Sequence, residues 1–149
     1  MKRLTTLLAT ATLTGLLSTT AMAASLNGTQ WQSIDDKTKE KKAVIKMTES
    51  NGVVTGTIIK LNDASKAKEV CSKCEGSLKN KPIVGLPILT KLKADGKNSW
   101  SGGDLVDPES GKVYGGTVKF AEDGKTLKLT GNIKGMPFLK RSQTWTRVK

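Results

Sequence analysis

The feature that most limits the folds open to this chain is its punctuation. Short runs of alternating apolar and polar residues follow one another, and clusters of Asn, Asp, Gly and Pro separate them. Ser50-Asn51-Gly52 is the sharpest break, because Asn and Gly tolerate the positive φ that a tight β-turn demands. Before it, Lys42–Glu49 places Ala43, Ile45 and Met47 on one face; after it, Val53–Leu61 is rich in β-branched residues. The spacing predicts one hairpin. Further along, Asp107-Pro108-Glu109-Ser110-Gly111 and Glu122-Asp123-Gly124-Lys125 read as turns around a strand at Lys112–Phe120. Thr126–Ile133 alternates cleanly, with Leu127, Leu129 and Ile133 opposed to Thr126, Lys128 and Thr130. Gly28–Ile34, Asn98–Val106 and Arg141–Val148 complete seven predicted strands. Gly102 and Gly103 mark a bulge or sharp bend inside one of them.

Sequential strands joined by short turns predict an all-β fold. Closure removes the unpaired edges of such a sheet, so the expected architecture is a small antiparallel up-and-down barrel of about seven to eight strands. The exception to the pattern is Val70–Leu92, which holds both cysteines and two of the four prolines. An eighth strand is expected near Lys81–Val84. Beyond it, Leu86, Leu89 and Leu92 recur at helical spacing with Pro87 near the start, which predicts one short helix near residues 86–92.

The first residues speak to compartment. Lys2 and Arg3 precede an uncharged apolar stretch from Leu4 to Leu17, and Ala21-Met22-Ala23 supplies the small residues a signal peptidase requires. Residues 1–23 are therefore expected to be a signal peptide and residues 24–149 a single barrel domain. Export and a nearby cysteine pair suit an oxidising space, the bacterial periplasm or the exterior. The apolar stretch is too short to span a bilayer comfortably, so no transmembrane segment is expected after cleavage.

The whole chain carries 25 Lys and Arg against 13 Asp and Glu, a formal charge of +12. The lysines are scattered singly, apart from a denser run at Lys37–Lys42, and few aromatics accompany them. Nucleic-acid binders concentrate charge on one face and interleave stacking aromatics, so the pattern argues against a nucleic-acid partner. Solubility and weak attraction to anionic envelope surfaces account for it.

Several chemistries fall away on residue type. With no histidine in the chain, Ser-His-Asp and Cys-His catalysis and the common histidine zinc sites are excluded. The acidic residues are spread over separate turns, so no metal cluster is expected, and no phosphate loop or dinucleotide fingerprint is present. No cofactor and no catalytic residue are assigned. Cys71-Ser72-Lys73-Cys74 reads either as a redox dithiol activated by Lys73 or as a structural disulfide between Cys71 and Cys74 pinning a long loop. The all-β pattern favours the latter, because thioredoxin-like sites occur in a βαβ setting. Trp31, Trp100 and Trp145 sit on three strands beside polar residues of the same parity, a face suited to lining a ligand cavity, to ordinary core or to a Trp–Arg stack that closes one end.

These motifs carry a resemblance. Gly28-Thr29 with Trp31, Ile34-Asp35-Asp36, the Cys71–Gly76 loop, Lys81-Pro82-Ile83 and Gly85-Leu86 come first. Trp100–Gly103, Asp107-Pro108-Glu109, Gly111-Lys112, Tyr114 and Gln143–Arg147 follow in order. Together they resemble the exported bacterial family catalogued as domain of unknown function 2147. The resemblance implies a lipocalin or calycin barrel, with small apolar ligands suggested. Together with the hairpin order and the missing catalytic set it leads to an exported binder of a small apolar or amphipathic molecule, without chemistry. It also implies an early Trp packed against a late Arg, with Trp31 and either Arg147 or Arg141 in those roles. The Gly28-Thr-Gln-Trp31 spacing departs from Gly-x-Trp by one residue. On this reading the ligand-binding residues are Trp31, Trp100, Tyr114, Trp145 and Arg147. The alternatives are a cell-envelope interaction protein with a basic surface and a thiol oxidoreductase.

Overall fold

The computed structural model describes residues 24–149; the expected signal peptide, residues 1–23, lies outside the described residues. Eight strands run in sequence: β1 (Gln30–Ile34), β2 (Lys41–Ser50), β3 (Val53–Leu61), β4 (Pro87–Gly96), β5 (Ser99–Val106), β6 (Val113–Phe120), β7 (Thr126–Ile133) and β8 (Met136–Arg147). Each pairs antiparallel with the next, and β8 returns to β1, so the sheet is a closed barrel. The tight turns behave as their residues dictate. Asn51 and Gly52 both take positive φ, 51° and 74°, the combination that matches the right-handed twist of a hairpin.

Two expectations need correction. No helix forms near residues 86–92, and the eighth strand is not Lys81–Val84; that segment contributes only an isolated bridge between Val70 and Pro82. The strand is β4, which begins at Pro87. Its spacing of three is produced by bulges. Val54 pairs with Leu92, Gly56 with Leu89 and Thr57 with Pro87, so β4 carries an extra residue at each step against β3. Lys91 sits at φ 60° in the first of these bulges. An added residue turns the two-residue period of a strand into three, and Leu89 and Leu92 then both face inward. What helices there are among the described residues are two single 3-10 turns, Ala64–Lys66 and Gly76–Leu78, both in the long β3–β4 connection.

β8 also begins earlier than the sequence suggests, at Met136, because the turn at Lys134-Gly135 is as tight as the others. The bulge expected at Gly102-Gly103 is present. Trp100 and Gly103 pair with Val118 and Gly116, and Gly102 takes φ 73°.

Side chains alternate between solvent and interior, and the interior is filled unevenly. At the end carrying the β2–β3 and β6–β7 turns, Trp31, Met47, Val54, Leu92, Trp100 and Leu127 are buried. Burying each such side chain contributes about 1.5–3 kcal/mol. Leu26 on the preceding segment is also fully buried. That segment is pinned by Gly28 N–H donating to Met47 O (2.9 Å) and Met47 N–H donating to Thr29 O (2.8 Å). This end is closed.

Candidate functional site: a cavity in the open half of the barrel

Toward the other end the side chains thin out and leave a cavity of about 500 Å³. Its apolar wall comes from inward positions of successive strands: Ala43, Ile58, Ile88, Leu105, Leu129 and Trp145. Gly131, on β7, contributes bare backbone to the same wall. Above these lie the odd-numbered turns of the barrel and the β3–β4 connection, which supplies Asn62, Asp63, Lys66, Glu69 and Ile83.

Arg141 organises the mouth. It lies on β8, in the same parity as Gln143 and Trp145, and all three line the cavity. Its guanidinium donates to Asp107 Oδ2 at 3.0 Å and to Asp36 Oδ1 at 3.3 Å, and it lies 5.9 Å from the centre of the Tyr114 ring. One half-buried cation thus joins the β1–β2 turn, the β5–β6 turn and β8. Burial works against its charge, but contact with Tyr114 and the carboxylates of Asp107 and Asp36 outweigh that, so the guanidinium is held charged well above its ordinary range. Beside it, Lys42 approaches Glu109 at 3.4 Å and Glu40 at 3.8 Å. Asp35, Glu40, Asp63, Glu69, Asp107 and Glu109 all reach the cavity, against Lys41, Lys42, Lys66 and Arg141. The mouth is therefore acidic in balance on a protein whose formal charge is +12.

The β3–β4 connection is held over this mouth. Gly85 N–H donates to Ile58 O at 2.7 Å and Ile58 N–H to Leu86 O at 3.0 Å, tying its end to β3. Cys71 and Cys74 form a disulfide whose residues are buried in the core. Within the loop, Cys71 N–H donates to Lys81 O at 2.8 Å and Asn80 N–H to Cys71 O at 2.9 Å. Cys71 Sγ rests 3.4 Å from Pro108 O, a contact and not a hydrogen bond, since a disulfide sulfur carries no proton. A Cβ at Gly111, where φ is 72°, would overlap the Lys73 carbonyl. Only glycine lets the β5–β6 turn approach the disulfide loop so closely.

The structure divides the residues named from sequence. Tyr114 and Trp145 form part of the cavity wall. Trp31, Trp100 and Arg147 belong to the closed half instead. Trp31 meets Phe120 edge to face at 5.5 Å, and Arg147 lies over both rings, 5.9 Å from Trp31 and 6.0 Å from Phe120. Arg147, not Arg141, is the partner of the early Trp. The Trp31 indole N–H donates to Thr29 Oγ1 at 2.8 Å, so its polar edge is satisfied within the plug. The main residue that sequence reasoning left out of the cavity is Arg141. Its alternation with Gln143 and Trp145 on one strand is the signal that points to it. Among the described residues, no three Asp, Glu or Cys gather in a metal-holding arrangement, and no helix is long and apolar enough to cross a membrane.

A closed eight-stranded antiparallel barrel, filled at one end and hollow at the other, is a lipocalin-like architecture. Protein HP1028 from the human pathogen Helicobacter pylori, described as belonging to the lipocalin family, is similar in structure: TM-score 0.70, 25% identity, 84% of each chain covered. Residues 29–147 match the family described as "Uncharacterized protein conserved in bacteria (DUF2147)", and the chain belongs to that family. No curated protein matches it.

Proposed function

We propose that this protein is an exported, non-catalytic carrier of a small apolar or amphipathic molecule, held in the open half of its barrel. The observation that carries this reading is the cavity itself. Its volume, about 500 Å³, falls within the range of about 300–1,000 Å³ usual for small-molecule sites. An apolar floor under a few convergent polar groups is the composition such sites share. Trp145 and Tyr114 offer ring surface, and Ile58, Ile88 and Leu129 offer aliphatic surface. Arg141 already satisfies two carboxylates, and the remaining rim is acidic in balance. The polar end of the bound molecule is therefore neutral or cationic, since a carboxylate there would meet repulsion. Kinship in fold with a lipocalin-family protein supports the carrier role.

Export to the periplasm or beyond rests on the expected signal peptide at residues 1–23 and fits a disulfide-bonded chain. The burial of both cysteines supports a structural bridge over a thiol-exchange function, because exchange requires a thiolate to reach a sulfur.

The test uses the neutral apolar dye N-phenyl-1-naphthylamine and the full chain purified from its envelope. Bound dye is expected to brighten, and Ala43→Phe, which projects a ring into the hollow, is expected to weaken binding about tenfold. The thermal midpoint should barely move. Dye affinity unchanged by Ala43→Phe would mean that binding occurs elsewhere, and the carrier reading would fall.

A further inference from the structure

β7 and β8 fall out of step at the open end of the barrel. Asn132 pairs with Lys140, yet the next β7 residue, Ile133, pairs with Met136. One step along β7 spans four along β8, a register shift that marks a bulge in β8 between Met136 and Lys140. Phe138 in this bulge is 94% exposed, Met136 55% and Leu139 52%. Single exposed apolar side chains are ordinary; three within four residues at one hairpin mark an interaction site.

The surroundings say what kind. Lys134 and Lys140 flank the bulge, and Lys91 of β4 joins them from the neighbouring surface. The acid among these lysines is Asp104, which pairs with Lys91 at 3.3 Å and with Lys134. A protruding apolar tip with cations at its base is the arrangement that seats in the headgroup layer of an anionic bilayer, apolar side chains at the acyl boundary and lysines at the phosphates.

The barrel wall beside this tip is also its weakest. β8 pairs with β1 only at Trp31 with Arg147 and Gln32 with Thr146. Beyond those pairs, Ile34 and Gln143 line the cavity on either side of an unpaired seam. The Arg141–Asp36 pair spans the seam.

We propose that the β7–β8 bulge is a membrane-docking element that inserts Phe138, Met136 and Leu139 into an anionic lipid surface. This holds or fails independently of the carrier reading, since a barrel with nothing inside could still dock. The experiment is co-sedimentation of the full chain with vesicles of phosphatidylglycerol and phosphatidylethanolamine, compared with pure phosphatidylcholine. The protein is expected to partition onto the anionic vesicles only, and less so as salt rises. Phe138→Ser is expected to lower partitioning about tenfold and Lys140→Glu about fivefold. Both positions are exposed, so both variants should keep the wild-type thermal midpoint and dye binding. Absence of binding to the anionic vesicles, or binding that Phe138→Ser leaves unchanged, would overturn the proposal. So would a dimer in sedimentation velocity that Phe138→Ser dissolves while vesicles remain unbound, because the bulge would then serve a second copy of the chain.

Discussion

The two halves of this barrel are built from the same strands and do opposite things. In the closed half, Trp31, Trp100 and Leu127 fill the interior and Arg147 lies across the aromatic plug. Toward the open half β2 offers Ala43 where its closed end carries Met47, β7 offers Gly131 where its closed end carries Leu127, and the space left is the cavity. A strand therefore carries its stability toward one end and its capacity for a guest toward the other. The two second-half arginines show the division in miniature. Arg147 covers a filled core, whereas Arg141 spans an opening and is held there by two carboxylates.

The largest effect expected on this comparison comes from the closed half. Trp31→Ala removes a fully buried indole and should cost about 3–5 kcal/mol in urea unfolding. A loss under 1 kcal/mol would mean that the plug is not what holds the barrel. Next comes the cover of the open half. Cys71→Ala with Cys74→Ala opens a very small ring, worth about 2 kcal/mol by loop closure. Limited proteolysis should then cut between Asn62 and Leu86 well before any strand, and a first cut elsewhere would show that the disulfide does not secure the mouth.

The smallest effect is common to both ends. Asp35 in the β1–β2 turn is held below the usual carboxylate value by backbone N–H groups of Thr38 and Lys37. Asp123 in the β6–β7 turn is lowered by the Lys125 N–H and by Thr126. A carboxylate lowered by folding stabilises fully above its unfolded pKa of about 3.9, and that support fades as pH falls through the folded value. Carboxyl NMR titration should place both groups below that value, with stability declining below about pH 4. Either Asp titrating above it would remove the turn from this account.

Much of the fold is legible because each hairpin is specified locally. Val53–Leu61 is a strand to the residue, and Asn51-Gly52 dictates its turn. β4 is not legible as a strand, because its bulges imitate a helical spacing, and whether an extra residue is tolerated depends on what β3 and β5 present. The cavity is half legible. Tyr114 and Trp145 stand out by residue type, whereas the six rim acids read singly as solvated turn residues. Up-and-down topology brings every second turn to the same end of the barrel, and only that fact collects Asp35, Asp107 and Glu109 around one opening. Arg141 escaped for a similar reason: its partners lie 34 and 105 residues away in sequence.

The narrow pairing of β1 with β8 bears on how the chain acquires its shape. This contact joins residues more than a hundred positions apart, so closing it carries the largest loop entropy in the molecule and comes late in folding. Until then β1 and the growing far edge of the sheet present unpaired N–H and C=O groups, the template on which strands of other chains add. The half-built barrel is thus the aggregation-prone species, and the few hydrogen bonds around Trp31 and Arg147 separate it from the finished protein.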